Sequence, residues 1–306
     1  MKPVVELKNV TKIIGGKKII DSISFSVYEG EVFGLLGPNG AGKTTTMRMM
    51  TGLMRISSGE ILINGRSIAS DFENAVRQIG AIVENPEMYK FLTGYENLKQ
   101  AARLAKGVTK ERMDEIIDLV GLTPRIHDKV KNYSLGMRQR LGIALCLLHD
   151  PKILILDEPT NGLDPAGIRE IRNYLRSLAR EKNLAVIVSS HLLSEVELMC
   201  DRVAIMQKGR LIDVQKVHGE GDGERQTYRF TVNDADRAAN ILKSKGIEAA
   251  ADGQKLEAAL AKQQVPDVIK WLVEENLLIY EVKPLRKTLE DRFLEITAAK
   301  EAAVNG

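Results

Sequence analysis

The glycine-rich segment from Gly37 to Thr44, G-P-N-G-A-G-K-T, constrains the fold of this 306-residue chain more than any other feature. It follows an apolar stretch, Glu31 to Leu36, that reads as a strand, and it precedes a helical stretch from about Thr44 to Leu53. A strand, a glycine-rich loop and a helix in this order fit the pattern G-x-x-x-x-G-K-[ST], in which backbone N–H groups and the helix N-terminus bind phosphate. The segment therefore predicts a site for the phosphates of a nucleoside triphosphate.

The residues of this loop are expected to have different roles. Lys43 places a full positive charge at the β and γ phosphates, and the Thr44 hydroxyl is a candidate ligand for Mg²⁺. Thr45 is expected to contribute through its backbone. The predicted nucleotide-binding residues of the loop are Asn39, Gly40, Ala41, Gly42, Lys43, Thr44 and Thr45.

Two adjacent carboxylates follow a second apolar strand, Ile153 to Leu156. Open α/β sheets bind ligands at the carboxyl ends of their strands, so we expect Asp157 and Glu158 to face the phosphates. Two unit charges about 4 Å apart repel by about 4 kcal/mol at an effective dielectric constant of about 20, so the pair implies a bound cation. Asp157 is predicted to hold this metal, directly or through water, and Glu158 to polarise the water that attacks the γ-phosphate.

The alternation of strands and helices predicts an α/β fold. The strand Ile153 to Leu156, a helix from about Ala166 to Glu181 and a strand from Ala185 to Ser189 follow one another. This order favours a mostly parallel sheet with right-handed crossovers. Short strands near the start, Val4 to Val10 and Ile19 to Val27, predict an antiparallel β edge.

Changes in composition predict the domain organisation. Residues 1–217 are predicted to form the nucleotide-binding domain, with a helical insertion at about 85–150. Residues 218–225, HGEGDGER, contain nothing apolar to bury and are predicted to be a linker. Residues 226–306 begin with the order β-α-β-β-α-β, which is typical of a small ferredoxin-like α+β domain. A last amphipathic helix is predicted from apolar residues at helical spacing: Leu285, Leu289, Phe293 and Ile296.

The charge balance and the cysteine content exclude several classes of protein. Forty-four Lys and Arg against 41 Asp and Glu leave a formal charge of +3, which is too small to indicate a nucleic acid partner. The two cysteines, Cys146 and Cys200, are too few for a disulfide framework or a Cys-based zinc cluster and are expected in the core. No stretch approaches the roughly 18 apolar residues of a spanning helix, so we expect a cytoplasmic protein.

Together with further motifs, these segments resemble the ATPase subunits of ABC transporters. The segment Tyr133 to Met137, Y-S-L-G-M, is similar to the signature loop of that family, Leu-Ser-Gly-Gly-Gln, and Ser134 and Gly136 match it. The segment Asn161 to Asp164 resembles the D-loop of the family, and His191 matches its switch histidine. The motifs follow the order of the family within about the first 215 residues.

The resemblance implies a fold, an activity and partners. The fold would be a P-loop NTPase core that binds ATP and Mg²⁺, with Glu158, His191 and Lys43 as catalytic residues. Two copies, or one copy and a related ATPase, would enclose the nucleotides, and Ser134 and Gly136 would bind the γ-phosphate held by the opposite subunit. ATP hydrolysis would power a separate integral-membrane permease, which would hold the chain at the inner face of the membrane.

Two positions depart from the family pattern. Most members have a glutamine that meets the metal where this chain has Glu84, and a carboxylate should bind Mg²⁺ more strongly. A glutamate here resembles the ATPases of bacitracin and lantibiotic exporters and favours peptide-antibiotic export, although neutral variation in a polar loop explains it equally well. Near Ile14 the family places an aromatic residue that stacks on adenine. Ile14 can bury the base but not stack on it, so we expect weaker base selectivity and acceptance of GTP.

Two other functions fit parts of the sequence. One is a soluble ATPase of the same superfamily that acts on ribosomes, DNA or other proteins. Such relatives typically carry two ATPase modules, zinc modules or long coiled coils, and the near-neutral charge also argues against nucleic acid. The other is a nucleotide sensor without turnover, which fits less well because Glu158 and His191 are both present. Co-purification with a membrane protein would distinguish the transporter subunit from these alternatives.

Overall fold

The computed structural model describes residues 2–105, 107–217 and 226–285. It separates the chain into two units, Met1–His218 and Gly219–Gly306. The predicted linker at 218–225 lies outside the described residues, and so does the predicted last helix beyond Leu285.

The described part of the first unit consists of strands and helices that alternate over much of their length. In chain order they are β1 (Pro3–Ile14), β2 (Lys17–Tyr28), β3 (Val32–Leu36), α1 (Lys43–Met50), β4 (Ser58–Ile63), β5 (Arg66–Ser67), α2 (Phe72–Val76), β6 (Ile79–Ile82), α3 (Gly94–Leu104), α4 (Lys110–Leu119), α5 (Leu135–Leu147), β7 (Ile153–Leu156), α6 (Pro165–Lys182), β8 (Ala185–Ser190), α7 (Leu193–Met199), β9 (Arg202–Gln207) and β10 (Arg210–Lys216).

A six-stranded sheet forms the centre of this unit, in the order β10-β9-β3-β8-β7-β6. Neighbouring strands pair in parallel, except that β10 is antiparallel to β9 at one edge. The strands β3, β7 and β8 are buried along their whole length, as expected for a sheet covered on both faces. Because the strands are parallel, the segments that follow β3, β6, β7 and β8 all lie at one edge of the sheet.

A second sheet packs against the first. Its order is β2-β1-β4-β5 and its strands are antiparallel, so the predicted antiparallel β edge is a separate sheet. Phe25 of β2 stacks on Phe33 of β3 with ring centroids 5.3 Å apart. Met47 and Met50 of α1 are fully buried in the same apolar cluster, which anchors the helix that follows the glycine-rich loop.

Polar side chains cap the N-termini of α3, α4 and α6. Thr93 and Glu96 form a capping box at the start of α3, and Thr109 caps α4. Asp164 caps α6, where Pro165 takes the first helical position. Polar N-cap side chains therefore define where these three helices start.

The observed elements differ from the predicted ones mainly at their ends. The strand predicted at Val4 to Val10 continues to Ile14, because Lys12, Ile13 and Ile14 still pair with β2. The helix predicted to reach Leu53 ends at Met50, and the Thr51 hydroxyl donates to the Met47 carbonyl there at 2.9 Å. Tertiary pairing and local capping set these limits.

The second unit is described over residues 226–285. Its elements are β11 (Gln226–Val232), α8 (Ala235–Ser244), β12 (Ala249–Asp252), β13 (Lys255–Leu260), α9 (Val265–Glu274) and β14 (Ile279–Pro284). The antiparallel sheet has the order β12-β13-β11-β14 and a core of its own around Phe230 and Leu256. The predicted fold class, an α/β core with a small α+β ferredoxin-like domain, is confirmed.

Both cysteines are free and buried, as predicted. Burial raises the pKa of the Cys146 thiol to about 12 and also raises the pKa of the Cys200 thiol. Both thiols therefore stay protonated near neutral pH, as expected of core residues.

A close contact between β6 and α5 leads to a prediction about stability. A Cβ atom on Gly80 would lie 2.5 Å from the carbonyl oxygen of Cys146 and 2.9 Å from its Cβ. We expect Gly80→Ala to lower the free energy of unfolding by about 1–3 kcal/mol, because backbone must move to make room. Urea denaturation measures this change. The control is Gly136→Ala, whose Cβ would meet only Leu163 at 3.8 Å. Equal stability of the two variants would contradict the prediction.

Candidate active site

The glycine-rich loop between β3 and α1 surrounds the side chain of Lys43. This side chain is only 6% exposed, and its ammonium group donates hydrogen bonds to the carbonyl oxygens of Gly37, at 2.7 Å, and Pro38, at 3.3 Å. Gly42 precedes α1 with φ of 104°, and a Cβ at this position would also collide with Ile20. Only glycine suits this backbone conformation, which leads into the N-terminus of α1.

Asp157 lies at the carboxyl end of β7 and is almost completely buried. Its Oδ1 accepts a hydrogen bond of 2.5 Å from the Ser189 hydroxyl at the end of β8. The same hydroxyl accepts from the backbone N–H of Glu158 at 2.8 Å. Ser189 therefore joins the ends of two adjacent strands and sets the position of the acidic pair.

Glu158 contacts two of the other predicted catalytic residues. Its Oε1 lies 3.7 Å from Nζ of Lys43, and its Oε2 lies 2.6 Å from Nδ1 of His191. An ionised carboxylate only accepts hydrogen bonds, so a proton on Nδ1 of His191 would be donated to Glu158, which leaves Nε2 for a second partner. The structure thus brings Lys43, Glu158 and His191 together.

The backbone is held in a sparsely populated conformation at two acidic positions of the site. Glu84 has φ of 76° and Glu158 has φ of 48°, both in the left-handed region. Such a residue costs on the order of 1–3 kcal/mol and persists where the surrounding structure requires it. Glu84 also forms an ion pair with Arg48 of α1.

One cavity of about 340 Å³ brings four sequence segments together. Glu84, Asp157 and Glu158 line it beside Asn161 of the predicted D-loop and Gln139 of α5. Six of the eight lining residues carry a carboxylate or a side-chain amide, so the cavity is a polar one. It can contribute acceptor oxygens and a general base to a reaction of phosphate.

The predicted signature residues lie at the start of α5. Ser134 is the N-cap, and its hydroxyl accepts from the backbone N–H of Met137 at 3.2 Å. Ser134 and Gly136 do not line the 340 Å³ cavity, whereas Leu135 between them does. Ile14 does not line the cavity either; it lies at the end of β1 and is about half exposed.

Several site residues were not predicted. Ser189 and Arg48 contact predicted residues directly, and Gln139 lines the same cavity. Two positions carried a sequence signal: Ser189 is polar at the end of an apolar strand, and Arg48 is four residues beyond Thr44 in a predicted helix. The contacts themselves depend on long-range packing.

The side chains of the site can be compared with the ligands that Mg²⁺ usually has in proteins. Within residues 2–105, 107–217 and 226–285 no three His, Cys, Asp or Glu side chains are close enough to hold a metal by themselves. Mg²⁺ is usually bound by one or two carboxylates, water and the phosphates of a substrate. A buried Asp157 and the hydroxyl of Thr44 suit a cation that is shared with a nucleotide.

Comparison with known sequences relates the chain to transport proteins. A family model described as ABC transporter matches residues 20–161. The chain is 64% identical over 297 residues to the uncharacterized ABC transporter ATP-binding protein YhcH of Bacillus subtilis (strain 168), with 97% of both proteins covered. It is 37% identical over 301 residues to the bacitracin transport ATP-binding protein BcrA of Bacillus licheniformis, with 97% of this chain and 98% of the relative covered.

Comparison with solved structures supports the fold of the first unit. A dimeric ATP-binding cassette in a post-hydrolysis state, bound to ADP and Pi, matches with a TM-score of 0.63 and 25% identity. The match covers 70% of this chain and 99% of that chain. Within the part of the chain that the structure describes, no helix is both long and apolar enough to cross a membrane.

The bridging hydroxyl of Ser189 leads to a second prediction. We expect Ser189→Ala to lower the free energy of unfolding by about 1–3 kcal/mol, because the buried Asp157 carboxylate and the Glu158 N–H both lose a partner. The replacement Ser177→Ala on α6 is the control, and urea denaturation is the measurement. A Ser189→Ala protein as stable as the control variant would show that the bridge contributes nothing.

Proposed function

The chain belongs to the family of ABC transporter ATP-binding proteins, and we propose that it powers the export of a peptide antibiotic or a similar amphiphile. As a member it binds and hydrolyses ATP, works with a membrane permease and dimerises. The resemblance predicted from the motifs is thereby confirmed. The soluble ATPase considered as an alternative is not favoured, because the relatives are named as transporter subunits.

The observation that carries the proposed mechanism is the position of Glu158 between Lys43 and His191. Glu158 accepts the proton of the attacking water, and Lys43 binds the β and γ phosphates. His191 orients the Glu158 carboxylate through Nδ1 and meets the γ-phosphoryl group. The charge that develops in the transition state then meets groups that are already positioned. Such positioning, together with electrostatic stabilisation, is the main source of catalysis in phosphoryl transfer.

A bound Mg²⁺ would be held by the Thr44 hydroxyl and Asp157, with Glu84 as a further ligand. When bound, the ion would supply positive charge that offsets the negative charge developing on the phosphates. Ser189 keeps Asp157 in place for this role through their 2.5 Å hydrogen bond. The loop backbone from Asn39 to Thr45 binds the phosphates through its N–H groups at the start of α1.

The second subunit completes each site. Ser134 and Gly136 at the N-terminus of α5 bind the γ-phosphate on the loop of the opposite subunit, where helix polarity favours an anion. The partner is a second copy or a related ATPase. Binding of two nucleotides closes the pair and hydrolysis reopens it.

The permease docks beside the loop that carries Glu84. Tyr89 and Phe91 follow this loop, both rings are more than half exposed, and their centroids are 5.8 Å apart. Exposed aromatic side chains of this kind are enriched at protein interfaces. Docking there holds the chain at the inner face of the cell membrane and connects the metal site to the transporter.

Two proposals concern the choice of ligand. The substrate class follows from the 37% identity to a bacitracin transport protein across nearly the full length of both chains. The nucleotide base is buried by Ile14 at the end of β1 rather than stacked on a ring, so discrimination between ATP and GTP is weak.

Replacement of Glu158 tests the mechanism. Glu158→Gln retains a partner for His191 but cannot take a proton, so we expect the rate of ATP hydrolysis to fall at least about 100-fold. Binding is retained, and gel filtration with MgATP should show a dimer that the wild type does not accumulate. Hydrolysis at the normal rate would remove Glu158 from this role.

The sensitivity of the native host tests the substrate class. Deletion of the gene should increase sensitivity to bacitracin or a related amphiphilic peptide, because the drug is no longer exported. Minimum inhibitory concentrations are compared after complementation with the wild type or with Glu158→Gln. An aminoglycoside is the control drug. Unchanged sensitivity to a panel of peptide antibiotics would argue against this substrate class.

A further inference from the structure

Arg48 links the phosphate-binding helix to the loop that departs from the family pattern. It lies on α1 four residues beyond Thr44, and residues four apart share one face of a helix. Its Nη2 forms an ion pair with Oε1 of Glu84, which follows β6. The pair therefore joins the face of α1 that carries a candidate metal ligand to a second candidate ligand.

From this geometry we propose that Arg48 is a positioning residue that compensates the charge of Glu84 and holds its carboxylate at the metal-binding edge of the site. The proposal rests on the ATPase mechanism proposed above. It adds a residue that the motifs do not assign, and it explains how a carboxylate functions at the position where the common family pattern has a neutral amide.

The charges around the cavity support this role. Glu84, Asp157 and Glu158 all line it, and a nucleotide would add several further negative charges. Lys43 contacts Glu158 at 3.7 Å, whereas Arg48 is the cation paired with Glu84. Arg48 together with Glu84 has no net charge, as a glutamine would. The pair thus preserves the charge of the amide and retains a carboxylate oxygen that can bind a metal.

The backbone places Glu84 for this purpose. Its left-handed conformation turns the chain directly after β6, and the Ile82 carbonyl accepts a hydrogen bond of 2.9 Å from the N–H of Asp157. The end of β6 is thereby attached to the residue that holds the metal. These contacts fix the backbone at Glu84, and the ion pair with Arg48 restricts the position of its side chain.

A purely structural role for the pair is disfavoured by its exposure. The Arg48 side chain is 38% exposed and that of Glu84 is 60% exposed. Ion pairs with this much solvent contact contribute little to stability. Loss of Arg48 should therefore change nucleotide binding and leave the melting temperature nearly unchanged.

A double-mutant cycle tests the proposal with Arg48→Gln, Glu84→Gln and the double variant. The matched control is Arg66→Gln, which breaks a similarly exposed ion pair between Arg66 of β5 and Asp71, which precedes α2. Affinity for a fluorescent ATP analogue is measured with Mg²⁺ and with EDTA, together with the melting temperature and the KM and kcat for ATP.

We expect Arg48→Gln to weaken binding of the metal-free analogue by about 5-fold or more, because an uncompensated carboxylate then repels the phosphates. The loss should be smaller with Mg²⁺, and it should appear in KM more than in kcat. The double variant should return to within about 2-fold of Glu84→Gln, since both charges are gone. Arg48→Lys should retain most of the affinity, and Arg66→Gln should match the wild type.

Additive effects in the cycle, or an Arg48→Gln protein that binds like the Arg66→Gln control, would overturn the proposal. The proposal would also be overturned if Arg48→Gln lowered the melting temperature clearly more than the Arg66→Gln control does, since the loss of binding would then reflect a structural role. If Arg48→Gln does not fold, Arg48→Lys and Arg48→Ala are compared instead. Equal losses of affinity in these two variants would overturn the proposal, because the lysine retains the positive charge. An inactive wild type would refute the mechanism above, whereas an active wild type with a normal Arg48→Gln variant refutes only this proposal.

Discussion

The buried ammonium group of Lys43 is the charge around which the nucleotide-binding unit is organised. Burial of a charged side chain, here 6% exposed, is costly unless its hydrogen bonds are made, and the loop carbonyls of Gly37 and Pro38 accept them. This contact requires the chain to fold back on itself, which the glycine at position 42 permits through φ of 104°. The loop shape, the start of α1 and the position of Glu158 beside the same ammonium all follow from that arrangement.

The parallel sheet brings the remaining groups to this charge. Glu84, Asp157 and His191 each follow the carboxyl end of a different strand, and parallel strands end at the same edge. Ser189 bridges β7 and β8, and the Ile82 carbonyl connects β6 to Asp157. The left-handed residues Glu84 and Glu158 lie where these segments leave the sheet, so two strained backbone positions belong to the candidate site.

Much of the fold was predictable because its signals are local. Apolar runs of four residues identified β7 and β8, and the β-α-β-β-α-β order of the second unit came from periodicity and turns. Element ends were less predictable, because they depend on contacts with other segments. Ile14 is an example: the first strand was expected to end at Val10, but it continues to Ile14, which pairs with Lys17 of β2. The strand order β12-β13-β11-β14 is likewise a tertiary result.

For the site, the sequence by itself determined which chemical groups are present and which local structures carry them. The loop from Gly37 to Thr44 is one contiguous segment, and Asp157 and Glu158 are adjacent in another. The chemistry of each segment can therefore be predicted without a structure. Tertiary structure alone decided their partners: Ser189 for Asp157, Arg48 for Glu84, and Lys43 and His191 for Glu158. The physical reason is that a hydrogen bond or ion pair depends on separations of a few ångströms. Sheet order and backbone turns set those separations, and both depend on residues far apart in the chain.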